Sequence, residues 1–203
     1  MMNPIEKTAS CYSTKNITRI SLLSVIAFLL MYLEFPLTFI APPFIKLDIS
    51  DMPALIGGFA MGPLVGASIE LIKCILIFFV RGTTTGGVGE FSNFIVGALL
   101  VSTASAFYRR NRTYGGAVLG LFIGVLSMTA FATLSNYFVV FPLYGKIMPM
   151  EAIIEMGRAV SSRVNSLWSL MIYCIVPFNL VKGFITSIVT LVLYKRVSSL
   201  LHR

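Results

Sequence analysis

Histidine is all but missing from this chain of 203 residues: His202 is the only one. Cysteine is scarce as well, and Cys11, Cys74 and Cys174 stand too far apart for any metal-ligand spacing. That excludes a zinc site and leaves the thiols as packing or tail residues. Charge is thin: only 12% of the residues carry it, about half the share of an ordinary soluble domain. Of the two signs the acidic is the rarer, with 8 Asp and Glu against 16 Lys and Arg. The alternating segments of an outer-membrane barrel are absent, which leaves helices as the spanning element. No Gly-Lys-Ser/Thr follows the glycine-rich run Arg81 to Gly89, so that loop is not a Walker A phosphate cradle. The first apolar run, Ile20 to Ile40, contains Glu34 and Pro36 and ends without a small-x-small cleavage site, unlike a removable signal peptide.

What remains is apolar. Hydrophobic residues make up 57% of the chain and the mean hydropathy is +0.88. The sequence therefore describes an all-α integral membrane protein, and its length suits one compact bundle over 1–203. The net charge of +8 would by itself suggest nucleic acid, but the apolar chain leaves no room for a soluble basic domain, and the charge is explained by topology. Helices are expected over about 18–38, 52–65, 66–80, 90–108, 115–141 and 166–193. Gly62-Pro63 and Gly66 divide the second from the third, Asp51 is placed to cap the second, and Pro142 ends the fifth. Met150, Ile153 and Ile154 form the apolar side of a short surface helix in the polar connection 143–165. Lys7, Lys15, Arg19, Arg109, Arg110, Arg112, Lys195, Arg196 and Arg203 all fall on one side of a six-span topology, with Glu6 their only acidic companion. The positive-inside rule then places the tails 1–18 and 197–203 in the cytoplasm, flanking a six-helix bundle over 19–196.

Charged and amide side chains inside apolar helices mark where function sits. Such a charge costs roughly 2.5–3.5 kcal/mol near mid-bilayer, so it normally faces a cavity or a partner. Glu90 and Asn93 lie near the outer end of the fourth helix and Asn136 near the outer end of the fifth. Asn179 and Lys182 share one face of the sixth, just after Pro177, which deprives the Tyr173 carbonyl of its helical partner. All five converge beneath the loop 42–51, whose Pro42-Pro43 pair, Lys46, Asp48 and Asp51 make a stiff polar mouth. A small-molecule pocket open to the outside would need this arrangement. Blander roles compete with it. Asn93 and Asn136 also suit interhelical hydrogen bonding, and Lys182 a structural pair with Glu90 or Glu34. Glu70 and Lys73, placed near the inner end, suit each other. Arg81, Glu151 and Arg158 read as solvated loop charges, and Trp168 as an interfacial anchor.

The segments PPFIKLDISDMPALIGGFAMGPLVGASIELIK (42–73), GEFSNFIVG (89–97), LSNYFVVFPLY (134–144) and IVPFNLVKG (175–183) together resemble the riboflavin-binding S component of energy-coupling factor (ECF) transporters. The resemblance extends from about Arg19 to Arg196. It implies a six-helix, non-enzymatic subunit of a prokaryotic plasma membrane that captures riboflavin from outside with high affinity. It also implies docking on a membrane coupling protein driven by two cytoplasmic ABC-type ATPases, with riboflavin as transported ligand and no cofactor. By position, Asn136, Asn179 and Lys182 would contact the flavin, Pro43, Phe44 and Lys46 would close over it, and Glu90 and Asn93 would contribute from the fourth helix. The chemistry suits: a flavin ring has flat apolar faces and one edge of acceptors with a single N–H, which two amides and one ammonium can match. The small-x-x-x-small pair that such proteins carry on the first helix for the coupling subunit falls here on Ser21 and Val25, with Ser24 and Ala27 as a rotated alternative. The rivals are another vitamin or flavin mononucleotide in the same architecture, and an intramembrane enzyme using Glu90 or Lys182. The latter lacks a nucleophile–base pair.

Overall fold

A computed structural model describes residues 14–83, 86–146 and 148–201, with side chains as far as Tyr194. Glu6, Lys7, Cys11, His202 and Arg203 lie outside the described residues, as do the side chains of Lys195 and Arg196. Helix α1 spans Thr14–Tyr32, a stretch free of glycine and proline. The sequence extends this helix to about residue 38, but the chain leaves it at Tyr32. Pro36 forces its predecessor toward extended backbone, and Phe35–Pro36 (β1) pairs antiparallel with Lys46–Leu47 (β2). The connection is thus a small closed hairpin.

Helix α2 (Asp51–Met61) and helix α3 (Pro63–Arg81) meet at Gly62, whose φ of +112° favours a residue without Cβ, and Pro63 supplies a ready first turn. The expected break is therefore at Gly62-Pro63. Gly66 belongs instead to the interior of α3, where a Cβ would come within 3.0 Å of both the Ala54 carbonyl oxygen and the Gly58 Cα. Its bareness lets α2 and α3 touch backbone to backbone. Ser50, not Asp51, is the cap residue of α2, and the Asp51 carboxylate is engaged elsewhere. Nine of the eleven residues of α2 are buried, so this short helix runs through the middle of the protein.

Helix α4 covers Val88–Arg110 and α5 covers Tyr114–Ser135, the latter capped by the Thr113 hydroxyl, which accepts the Gly116 N–H at 3.1 Å. Contrary to the sequence expectation, Pro142 does not end the fifth rod. A π-turn over Asn136–Val140 carries it into a further turn, α6 (Phe141–Tyr144). The same device recurs in the last rod, where α8 (Leu167–Leu170) passes through a π-turn at Met171–Ile175 into α9 (Val176–Leu201) ahead of Pro177. A π-turn shifts the hydrogen-bond register by one residue, so each proline enters where the α-helical ladder is already interrupted. Between the two rods lies α7 (Met150–Val160), with Ile153 fully buried beneath it as the apolar pattern predicts.

Among the described residues, five rods are long and apolar enough to cross a membrane: Thr14–Tyr32, Pro63–Arg81, Val88–Arg110, Tyr114–Tyr144 and Leu167–Tyr194. α4 packs against α3 and α5, and α9 packs against α2 and α5. One core cluster, around Leu55, Ile69, Leu100 and Leu121, fills the space between them, and a second, around Phe141, Leu170 and Ile175, lies under α7. Ser24 and Ala27 are wholly buried in this packing, which removes them as a rotated docking face on α1. Ser21 and Val25 are exposed.

Candidate functional site

The hairpin connection, the N-terminal part of α4, the two π-turns and α9 line a cavity of about 630 Å³. Of the eight residues that the sequence assigns to binding, seven line it: Phe44, Lys46, Glu90, Asn93, Asn136, Asn179 and Lys182. Pro43 is exposed and off the cavity wall. Apolar walls come from Ile77, Val96, Phe141 and Phe178, with Phe44 edge-on to Phe141 at 6.1 Å.

Asn136 and Asn179 are held alike. The Asn136 Nδ2 donates to the Ala132 carbonyl at 2.7 Å, and the Asn179 Nδ2 to the Ile175 carbonyl at 2.9 Å. A carbonyl only accepts, so each amide must turn its nitrogen toward the helix and leave Oδ1, with the second N–H, for another partner. Two rigid amides thereby present acceptor and donor side by side.

Lys182 pairs with neither Glu90 nor Glu34. Its Nζ donates to Asp48 Oδ2 at 3.0 Å and lies 3.6 Å from Asp51 Oδ2. Glu34 is occupied by Lys46 at 2.7 Å and by Arg81, so Arg81 is a partner at the cavity rim and not a solvated charge. Glu90 accepts from the Thr83 hydroxyl at 3.0 Å. The Glu70–Lys73 pair is present at 2.6 Å, as the spacing suggests. It sits midway along α3 instead of near its N-terminal end, and Lys73 reaches a second carboxylate, Asp51, at 2.7 Å. Gly97 makes room for this group: a Cβ there would lie 2.6 Å from Glu70 Oε2. The sequence names Asp48 and Asp51 as parts of the mouth, and Asp51 also as a helix cap; their role in the floor, and those of Arg81 and Gly97, become visible only in three dimensions. The available signal was a count of charges in apolar surroundings that needed partners.

Two carboxyls of the hairpin region carry depressed pKa values. Burial pushes Glu34 upward, but its bonds to Arg81 and Lys46 outweigh this and hold it below the usual range. Burial also opposes ionisation of Asp48, yet the charges of Lys182 and Lys73 and the Ser50 bond hold it well below. A depressed carboxyl contributes stability that is complete above its unfolded value, about 4, and is lost as pH falls through the folded value. Thermal stability in detergent should therefore not fall on this account from pH 8 to about 5, and should drop below about 4. Hairpin loosening already between pH 7 and 5 would show that other groups control it.

A largely preformed cavity with apolar walls and fixed amides and charges at one side, set among apolar rods, defines a membrane receptor for a small organic molecule. The family model described as ECF transporter, substrate-specific component, matches residues 15–194, and the chain belongs to this family. It is thus a membrane transport component and not an enzyme. The riboflavin transporter RibU of Staphylococcus aureus (strain TCH60) is 38% identical over 190 residues, 93% of either chain. The riboflavin transporter FmnP of Bacillus subtilis (strain 168) is 31% identical over 176 residues, 86% of this chain and 87% of that protein. A solved structure of the S component of a bacterial ECF transporter superimposes with a TM-score of 0.73 at 36% identity, covering 93% of this chain and 98% of the other.

Proposed function

We propose that this chain binds riboflavin with high affinity from outside the cell and is the uptake subunit of an ECF-type transporter in a prokaryotic plasma membrane. The observation that carries this reading is the meeting of Asn136, Asn179 and Lys182 on one apolar-walled cavity. The amide oxygens can accept the single ring N–H of the flavin, and the ammonium and the free amide hydrogens can serve its carbonyls. Phe44, Phe141 and Phe178 offer apolar surface to the ring, and Glu90, Asn93 and Thr83 offer polar partners to the ribityl hydroxyls. Relatives named as riboflavin transporters support the same ligand.

The chain acts as a single domain of six helices. α2, about 17 Å long, is the short one, enclosed by the five longer rods. Both termini lie in the cytoplasm, a topology supported by Arg109 and Arg112 beside the Gly62 break. Ser21 and Val25, exposed on α1, meet a membrane coupling protein, and two ABC-type ATPases supply the energy. Purified protein should be yellow or, once stripped of ligand, quench riboflavin fluorescence at one equivalent. A correctly folded protein that does not quench would overturn the ligand assignment, and titration with flavin mononucleotide and other vitamins would find the replacement.

A further inference from the structure

A chain of buried ion pairs runs through the cavity floor, with Asp48 and Asp51 lining the cavity and Lys73 behind them, and each aspartate looks two ways. Asp51 Oδ1 accepts from Lys73 at 2.7 Å, and its Oδ2 lies 3.6 Å from the Lys182 ammonium. Asp48 Oδ1 accepts from the Ser50 backbone N–H at 2.9 Å and from the Ser50 hydroxyl, and its Oδ2 accepts from Lys182 at 3.0 Å. The Ser50 oxygen in turn accepts from Lys73 at 3.0 Å. Lys73 is fully buried; it donates to Asp51 Oδ1 and to the Ser50 hydroxyl oxygen and is ion-paired with Glu70 at 2.6 Å. It does not line the cavity, so a ligand there would not touch it. Lys182, by contrast, lines the cavity; it donates one hydrogen bond, to Asp48, and feels Asp51 only as a charge at 3.6 Å.

We propose that Lys73 is a positioning residue for ligand recognition. It holds both aspartates, directly and through Ser50, so that they fix the Lys182 ammonium at the cavity wall with N–H groups left for a neutral acceptor of the ligand. This rests on the riboflavin reading of the cavity. Without Lys73, Asp51 has only one cation within ion-pair reach among the described residues, and that is Lys182. The attraction then draws Lys182 toward Asp51 and off its hydrogen bond to Asp48, displacing the ammonium from its position at the cavity wall. Gly97 bounds the group from α4, since a Cβ there would lie 3.4 Å from Asp51 Oδ1 as well as against Glu70. A merely structural Lys73–Glu70 pair makes a different prediction: removing both charges together should leave the site intact, because a buried pair can often be replaced by neutral groups without loss.

The test is riboflavin titration of the full-length chain in detergent, alongside thermal unfolding of the ligand-free protein. Lys73→Met/Glu70→Gln keeps the net charge of the cluster. It should unfold near the parent's temperature but bind riboflavin at least about tenfold more weakly. Affinity within about twofold of the parent would overturn the proposal. Ser50→Ala keeps all five charges and carries the test if the double variant does not fold. Affinity reduced by about threefold or more, measured where parent and variant are both folded, supports the relay, and equal affinity overturns it. A folded parent that fails to bind riboflavin overturns the ligand reading and this role of Lys73 together. A parent that binds beside an unaffected variant overturns the role of Lys73 alone.

Discussion

Lys182→Met should weaken riboflavin binding by about 100-fold or more and destabilise the protein by about 3–5 kcal/mol, the usual cost of breaking a buried ion pair. Methionine keeps most of the length and volume of lysine, so packing against α9 changes little. What is lost is the ammonium that faces the cavity and both aspartates. Asp48 and Asp51 are almost fully buried; Asp51 would then keep Lys73 alone, and Asp48 only its bonds from Ser50. Fluorescence titration measures the first effect and thermal unfolding in detergent the second. Lys182→Met/Asp48→Asn separates them, since removing a carboxylate with the ammonium should recover much of the stability but none of the binding. Recovery of both would mean that Lys182 only balances charge and does not contact the ligand.

Asn179→Ala should reduce affinity by about 10- to 100-fold, because a ligand donor facing the vanished Oδ1 would be buried without a partner, at about 1–3 kcal/mol. The effect on folding should be smaller, limited to the bond from Nδ2 to the Ile175 carbonyl. Riboflavin titration again decides. Unchanged affinity would remove Asn179 from the site and leave recognition to Asn136 and Lys182.

Much of this site is legible in the sequence. Asn136, Asn179 and Lys182 stand out because amides and an ammonium are costly among apolar neighbours, whatever the tertiary arrangement. The Glu70–Lys73 pair is equally plain, because three residues along a helix make neighbours of two side chains. The partner of Lys182 is not legible. Asp48 lies 134 residues away, and nothing in the spacing prefers it to Glu34 or Glu90. Arg81 looks like a loop charge until the hairpin at Phe35–Pro36 brings Glu34 to it. The end of the fifth rod is likewise misread from sequence, because a π-turn carries the helix past Pro142 where a proline rule expects an end, whereas the sixth is read through Pro177 as it stands.

The sequence by itself determined that this chain is a bundle of membrane helices, that it breaks at Gly62-Pro63, and which polar residues have to find shelter within it. These follow from forces that act within a turn or two of chain: the transfer of apolar surface from water, the backbone demands of glycine and proline, and the solvation cost of a buried charge. Only the tertiary structure decided which carboxylate meets which ammonium, because that depends on how each rod is rotated against its neighbours. Bare contacts such as Gly66 against Ala54 and Gly97 against Glu70 set those rotations. No local pattern encodes an angle between helices that are joined only through a shared core.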